Sequence, residues 1–194
     1  MYYQKNQISE KLDRWDAYLQ AFHFPTWEEL PDLELYMDQV VALISRYLDL
    51  LPHGEAVEPV ITPSTVNNYV RMRIMPPPCK KRYTRLHLAY LIVICTLKQS
   101  LNIAYVSKIL PMGIPEEEVR RIYGEFVRIH RATSLALVRQ VRQAWAPDGP
   151  GDSAVQELVL SSAVYSNLYK LLTEKIVALQ LEQAGALHGV PEPV

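Results

Sequence analysis

Cysteine and glycine are scarce in this sequence, which has two cysteines and seven glycines among 194 residues. Two cysteines exclude a disulfide framework. Neither lies in a Cys-x-x-Cys pair or beside histidines at zinc-ligand spacing, so we expect reduced thiols and no bound metal. So few glycines disfavour a β-sandwich with its many tight turns. Gly-rich phosphate loops, nucleophile elbows and paired-carboxylate motifs are also missing, which predicts a protein that is not an enzyme and binds no cofactor.

Long hydrophobic runs are missing as well. The longest, at residues 88–97, is about half of the roughly 20 residues that a membrane-spanning helix needs. The first residues lead into a charged amphipathic stretch and do not resemble the apolar core of a signal peptide. These features predict a cytoplasmic protein that does not enter a membrane.

The apolar residues, 49% of the chain, recur at helical spacing. Thr62 before Pro63, and Thr84 before an apolar run, are N-cap signals. The prolines at 76–78 force an extended passage that continues to residue 83. We expect Trp27 in the core and Tyr36 on the inner face of the second helix. The predicted helices span about residues 8–22, 33–51, 63–73, 85–99, 103–110, 116–145 and 152–183.

The last two helices are of similar length and are joined by a turn rich in proline and glycine, which predicts an antiparallel helical hairpin. A near-heptad apolar seam follows the final helix. Its members are Val155, Leu158, Tyr165, Leu168, Leu172, Ile176 and Leu179. We therefore expect a boundary at residue 112, with a C-terminal helical region (113–194) that serves dimerisation or effector binding.

Acidic residues are absent from residues 59–115, which carry eight lysines and arginines. The rest of the chain holds 12 basic residues against 21 acidic ones, so the net charge of −1 conceals a strong dipole. A basic block without carboxylates is typical of a surface that displaces counterions from phosphates. The other interpretations are a solvated basic face or a docking surface for an acidic partner.

Six short motifs are shared with one bacterial family. They are Trp-Glu-Glu-Leu-Pro at 27–31, Leu-Tyr-Met-Asp-Gln-Val at 35–40, Ile-Thr-Pro at 61–63, Asn-Asn-Tyr-Val at 67–70, Lys-Lys-Arg-Tyr at 80–83 and Ala-Tyr-Leu-Ile-Val at 89–93. Over about residues 25–125 the chain closely resembles the family called domain of unknown function 1836. That family has no established biochemistry, so the resemblance implies an identity and no mechanism.

A second likeness begins at Thr65-Val66-Asn67-Asn68-Tyr69, continues through the proline run and Tyr83, and ends at Lys98. This segment is similar to MerR-type regulators. The resemblance implies an all-α fold with a winged helix-turn-helix core, preceded by an N-terminal helix and followed by a long helical hairpin. In that family the recognition helix enters the major groove, the basic wing contacts the backbone, and a C-terminal helix pairs two subunits. Where MerR sequences usually have glycine before the wing, this chain has Arg73.

The candidate DNA contacts lie in and around this segment. Asn67 and Asn68 carry amides that suit adenine, although local backbone capping also explains them. The resemblance implies a phosphate contact for Tyr69, and the alternative is a core aromatic. The full set of candidates is Ser64, Thr65, Asn67, Asn68, Tyr69, Arg71, Arg73, Lys80, Lys81, Arg82 and Arg85.

Two other groups of residues have competing interpretations. Cys79 adjoins three cations that would favour its thiolate, as in a redox sensor, but no second thiol is near in sequence. Four arginines in the long helix would suit an anion or effector site, or they form its solvated face. These are Arg120, Arg121, Arg128 and Arg131.

The sequence thus predicts a DNA-binding transcriptional regulator of unknown target. The expected partners are double-stranded DNA and a second copy in a homodimer, and no effector is identified. The N-terminal helix and winged-helix domain would occupy residues 1–112. The alternative is a protein–protein adaptor that uses the same winged-helix fold and performs no catalysis.

Overall fold

The computed structural model of the protein describes residues 14–48, 60–144 and 152–187. Two isolated β-bridges, Leu35 with Tyr83 and Cys79 with Arg82, are the extended pairings in this part of the chain, which contains no longer strand. The all-α prediction is therefore confirmed. The helices are α1 (which includes residues 14–21), α2 (Met37–Tyr47), α3 (Pro63–Arg71), α4 (Arg85–Leu97), α5 (Ile103–Ile109), α6 (Glu116–Ala144) and α7 (Asp152–Leu187).

Helix α4 lies at the centre of the fold. All nine residues from 87 to 95 are buried, so every side of this helix is covered. A helix that is apolar on all sides is stable in water only when neighbours surround it. Helices α2, α5 and α6 pack against α4, and the loop residue Trp27 joins the same core, as expected. Helix α3 packs on α2, and α7 packs on α5 and α6.

Helix α2 begins four residues later than predicted. The backbone at Leu35 is extended, because its N–H donates to the Tyr83 carbonyl (2.8 Å) and its carbonyl accepts from the Tyr83 N–H (2.9 Å). The side chain of Gln39 then accepts a hydrogen bond from the N–H of Tyr36, which fixes the helix start. Tyr36 is 49% exposed, so the prediction of an inward side chain is wrong. The predicted end of this helix at residue 51 lies outside the described residues.

Side chains of α6 hold the segment that links α1 to α2. The Tyr123 hydroxyl donates to the Pro25 carbonyl (2.7 Å), and the Trp27 ring packs edge-on against Tyr123. Arg131 donates to the Phe22 carbonyl (2.8 Å) at the end of α1. The core also contains Val119, so α6 packs directly on α4, which lies within the basic block at residues 59–115. The boundary proposed at residue 112 stays a prediction.

Helix α7 contacts α5 and α6 through a narrow face. Val155 and Val177 are buried, whereas most of the predicted seam is exposed to solvent. The exposed members, Tyr165, Leu168, Leu172, Ile176 and Leu179, are between 42% and 56% accessible. These five residues are therefore not covered by the described chain as core residues would be, and the turn predicted between α6 and α7 lies outside the described residues. Across the three described ranges, no helix combines the length and hydropathy needed to span a bilayer.

The burial of α4 predicts a large effect of truncation. Leu91→Ala should lower the free energy of unfolding by about 2–5 kcal/mol, because it leaves a cavity in a fully covered helix. The same substitution at Leu33, which is 59% exposed, should cost less than about 1 kcal/mol. Urea unfolding followed by circular dichroism measures both. Similar losses in the two variants would contradict the central position of α4.

Candidate nucleic-acid interface

Helix α3 presents a polar outer face because its inner face is anchored in the core. The Thr62 hydroxyl caps the helix by accepting a hydrogen bond from the Thr65 N–H (3.1 Å), and Pro63 occupies the first turn. Val66 and Tyr69 are buried. The outer face lines a shallow groove of about 740 Å³, which gathers six of the predicted contacts, Ser64, Thr65, Asn67, Asn68, Tyr69 and Arg71.

The three candidates at the middle of α3 differ in their surroundings. Asn67 is exposed. The Asn68 carbonyl oxygen accepts a hydrogen bond from Arg71 (2.6 Å), so this amide is engaged within its own helix. Tyr69 is only 5% exposed and lies at the bottom of the groove, with the Lys98 ammonium 5.7 Å from its ring centre. Burial raises the pKa of the Tyr69 phenol, which agrees with the core interpretation of this residue.

Helix α3 is followed by a cationic residue at a C-terminal position where glycine is usual. The Arg73 N–H donates to the Val70 carbonyl (3.0 Å), and the Ile74 N–H donates to the Tyr69 carbonyl (2.9 Å). This pair of bonds is a Schellman C-cap, which needs a left-handed residue after the helix. Arg73 is that residue, with φ +55°. A side chain in this conformation costs about 1–2 kcal/mol relative to right-handed backbone.

The predicted wing is a hairpin with a two-residue turn. The Arg82 N–H donates to the Cys79 carbonyl (2.8 Å), and both central residues are left-handed, Lys80 with φ +48° and Lys81 with φ +63°. Positive φ at both central positions defines a type I′ turn, for which Asn-Gly is the preferred sequence. Both lysines are exposed. We call residues 79–82 the basic hairpin.

Among the described residues, every residue other than glycine that has a positive φ is basic. They are Arg73, Lys80 and Lys81. Strained backbone conformations persist where the surrounding structure imposes them, and they cluster at functional sites. At Arg73 the sequence offered a signal, because the MerR pattern to which it was compared usually has glycine there, but the lysine turn had no such signal.

Arg82 contacts Tyr36, a residue that was predicted to lie on the inner face of the second helix. Its guanidinium lies 3.6 Å from the ring centre of Tyr36, in a cation–π contact. The contact arises because the bridge between Leu35 and Tyr83 brings the two neighbours together. The two residues are 46 positions apart, so no local sequence pattern predicts their contact. The stacked ring supports one side of the basic hairpin.

Arg85 lies apart from the other candidates. Its Nε donates to the Leu30 carbonyl (3.1 Å), and its guanidinium is 3.7 Å from the Asp32 carboxylate. These contacts join α4 to the segment before α2. The structure thus gives Arg85 a role in packing, and it is not brought together with the groove or the hairpin.

His87, in α4, contacts the segments on both sides of the hairpin. This role was not predicted from the sequence. Its Nδ1 accepts a hydrogen bond from the Thr84 N–H (3.0 Å), and its Nε2 lies 3.4 Å from the Pro77 carbonyl. Because the ring accepts at one nitrogen and faces a carbonyl with the other, the neutral tautomer satisfies both. Burial lowers the pKa of His87, and the Pro77 contact opposes that shift in part.

The basic residues of this surface lack acidic neighbours. In the part of the chain that the structure describes, no carboxylate lies within 4 Å of the side-chain nitrogens of Arg71, Arg73, Lys80 or Lys81. The α6 arginines differ. Arg120, Arg121 and Arg128 pair with glutamates, which supports the solvated-face interpretation of that helix.

The two cysteines have different environments. Cys79 is exposed at the base of the hairpin. Cys95 is buried in α4, and burial raises the pKa of its thiol to about 11. Among the described residues, no group of three or more His, Cys, Asp or Glu side chains is arranged to hold a metal ion.

Comparison with known proteins identifies the segment that carries this surface. The model of the family described as domain of unknown function 1836 matches residues 25–126. The chain belongs to this family. The match covers α2 to α5 and the first third of α6, and so includes the groove and the basic hairpin. Neither the curated proteins nor the solved structures gave a significant match.

The left-handed backbone at Lys80 and Lys81 predicts that replacing these two charged residues stabilises the fold. Replacing Lys80 by Asn and Lys81 by Gly should raise the free energy of unfolding by about 1 kcal/mol, because Asn-Gly suits a type I′ turn. Chemical denaturation of the double variant and the wild type measures the difference. A double variant less stable than wild type would show that the lysines contribute contacts that outweigh the backbone cost.

The surroundings of His87 predict a pH dependence. Burial lowers the pKa of His87 and His130 below the ordinary value of 6.5. The unfolded chain therefore binds more protons below pH 6.5, and stability should fall as the pH decreases from there towards 5. In His87→Gln, glutamine completes a Thr-x-x-Gln capping box and does not titrate, so the fall should be less steep. Urea unfolding at several pH values measures it, and equal slopes would contradict the prediction.

Proposed function

We propose that the protein binds double-stranded DNA through the outer face of α3 and the basic hairpin, as a transcriptional regulator. The observation that carries this proposal is the presence of Arg73, Lys80 and Lys81 at three backbone positions that favour glycine. Neutral residues there would suit folding better, so the three charges point to an anionic partner. Phosphates are the partner that a carboxylate-free basic block fits best.

The dimensions of the surface suit a duplex. Helix α3 has nine residues, and an α-helix with its side chains is about 10–12 Å across, which fits the major-groove width of about 12 Å. Ser64, Asn67 and Arg71 are spaced so that they share its outer face. Seven peptide links separate Arg73 from Lys80 and span at most about 25 Å, less than one turn of B-DNA at about 34 Å. One duplex can therefore contact both parts.

Each group has a distinct proposed role. Asn67 is the best candidate for a base contact, since its amide suits adenine N6 and N7 and it is exposed. Arg71, Arg73, Lys80 and Lys81 would contact phosphates and set the register. Tyr36 and His87 would position the hairpin without touching DNA. In this proposal α2, α3, the basic hairpin and α4 form a winged helix-turn-helix, in line with the MerR likeness of residues 65–98.

The test measures binding to a fluorescent pool of random duplexes at several salt concentrations. The logarithm of affinity should fall with the logarithm of salt concentration by about 0.9 for each phosphate contacted. Lys80→Asn with Lys81→Gly should reduce this slope by about two while the protein becomes more stable. Arg73→Gly should reduce it by about one, because glycine keeps the C-cap and removes one charge.

A matched control removes two charges elsewhere. Arg121 and Arg128 pair with glutamates on α6, and changing both to Gln lowers the net charge by the same amount as the hairpin variant. Its affinity and salt slope should equal those of the wild type. Absence of salt-dependent binding would overturn the proposal, as would equal losses in the control and the hairpin variant. Capture of acidic proteins in place of DNA would favour the adaptor alternative.

A further inference from the structure

Helix α7 turns its more apolar face away from its own chain. Successive residues of a helix are rotated by 100°, so Val155 and Val177, which are 22 residues apart, lie within about 40° of each other. These two valines are buried against the chain. The large apolar residues on the opposite side form what we call the outward stripe, namely Leu160, Val164, Tyr165, Leu168, Leu171, Leu172, Ile176 and Leu179.

The outward stripe is large for a surface in contact with water. Its eight side chains occupy an arc of about 160°, and each is between 42% and 59% exposed. Monomeric proteins rarely expose contiguous apolar patches above a few hundred Å². Eight half-exposed side chains of this size offer an area of the order that a stable interface buries, about 800 Å² per partner. In the exposed middle of the helix, the side that contains Val155 and Val177 carries Ser162, Ala163, Ser166, Asn167 and Lys170, which suit solvent.

We propose that two copies of this chain pair through the outward stripes of their α7 helices, in antiparallel orientation centred at the level of residue 166. In that register Leu160 lies opposite the partner subunit's Leu172, and Val164 lies opposite the partner subunit's Leu168. Residues 160, 164, 168 and 172 are all apolar, so these apolar pairs extend over about three helical turns around the centre. The two-fold axis makes each contact occur twice.

The charges at the ends of the stripe select the antiparallel orientation. Glu157 and Lys175 are exposed and lie 18 residues apart, which is five whole helical turns, so they share one line along the helix. That line runs between Val164 and Leu168. In the antiparallel register Glu157 faces the partner subunit's Lys175 at both ends. Parallel pairing would instead place like charges opposite each other, which is unfavourable.

The proposal does not depend on DNA binding, and its test uses the full chain without DNA. Sedimentation equilibrium should show a dimer. Val164→Glu with Leu168→Glu should weaken dimerisation at least about 100-fold, because it buries four carboxylates at the centre. Ala163→Glu adds the same type of charge on the solvent side and should leave the dimer intact. Circular dichroism checks that the helices are retained in each variant.

Charge reversal tests the orientation. Glu157→Lys and Lys175→Glu should each weaken dimerisation about tenfold, and the double reversal should restore the wild-type affinity. Single reversals without effect would overturn the antiparallel register. A wild-type chain that remains monomeric at about 100 micromolar, which corresponds to an association free energy weaker than about −5.5 kcal/mol, would overturn the pairing. So would a dimer that withstands Val164→Glu with Leu168→Glu, or a monomer that sediments with phosphatidylglycerol vesicles.

Discussion

The structure depends on the burial of α4. Its nine buried residues leave no side for solvent, so segments from both directions of the chain must cover it. Helix α2 and the preceding loop come from the N-terminal side, and α5 and α6 come from the C-terminal side. Hydrophobic burial of one element therefore fixes the positions of the others. The basic hairpin directly precedes α4, and its position follows from the same burial.

The hairpin shows how a packed core can maintain an unfavourable backbone. His87, at the first turn of α4, contacts the chain on both sides of the turn, at Pro77 and Thr84. The bridge between Leu35 and Tyr83 also holds the segment that follows the turn, by pairing it with the residues before α2. These attachments explain why Lys80 and Lys81 remain left-handed without glycine. The stability of the core thus supports residues that the turn alone would not favour.

Much of the helical framework could be predicted from the sequence because its signals are local. Threonine caps, the proline run and the apolar period gave α3, α4 and α6 to within two residues of their observed ends. The prediction failed where distant parts of the chain interact. Helix α2 starts late because Leu35 pairs with Tyr83, and this pairing turns Tyr36 outward, where Arg82 stacks on its ring. Six of the predicted contacts on α3 line one groove, whereas Arg85 contacts Leu30 and Asp32, which no local pattern indicates.

The contact between Tyr123 and Pro25 joins two distant parts of the chain that lie on either side of the basic hairpin in sequence. It closes a loop of 98 residues, and every attachment of the basic hairpin lies inside that loop. A fragment that began after residue 35 would lose the strand partner of Tyr83, and one that ended before α6 would leave one side of α4 in water. The family match over residues 25–126 ends close to these two residues. The segment shared by the family therefore contains the groove, the hairpin and their supports.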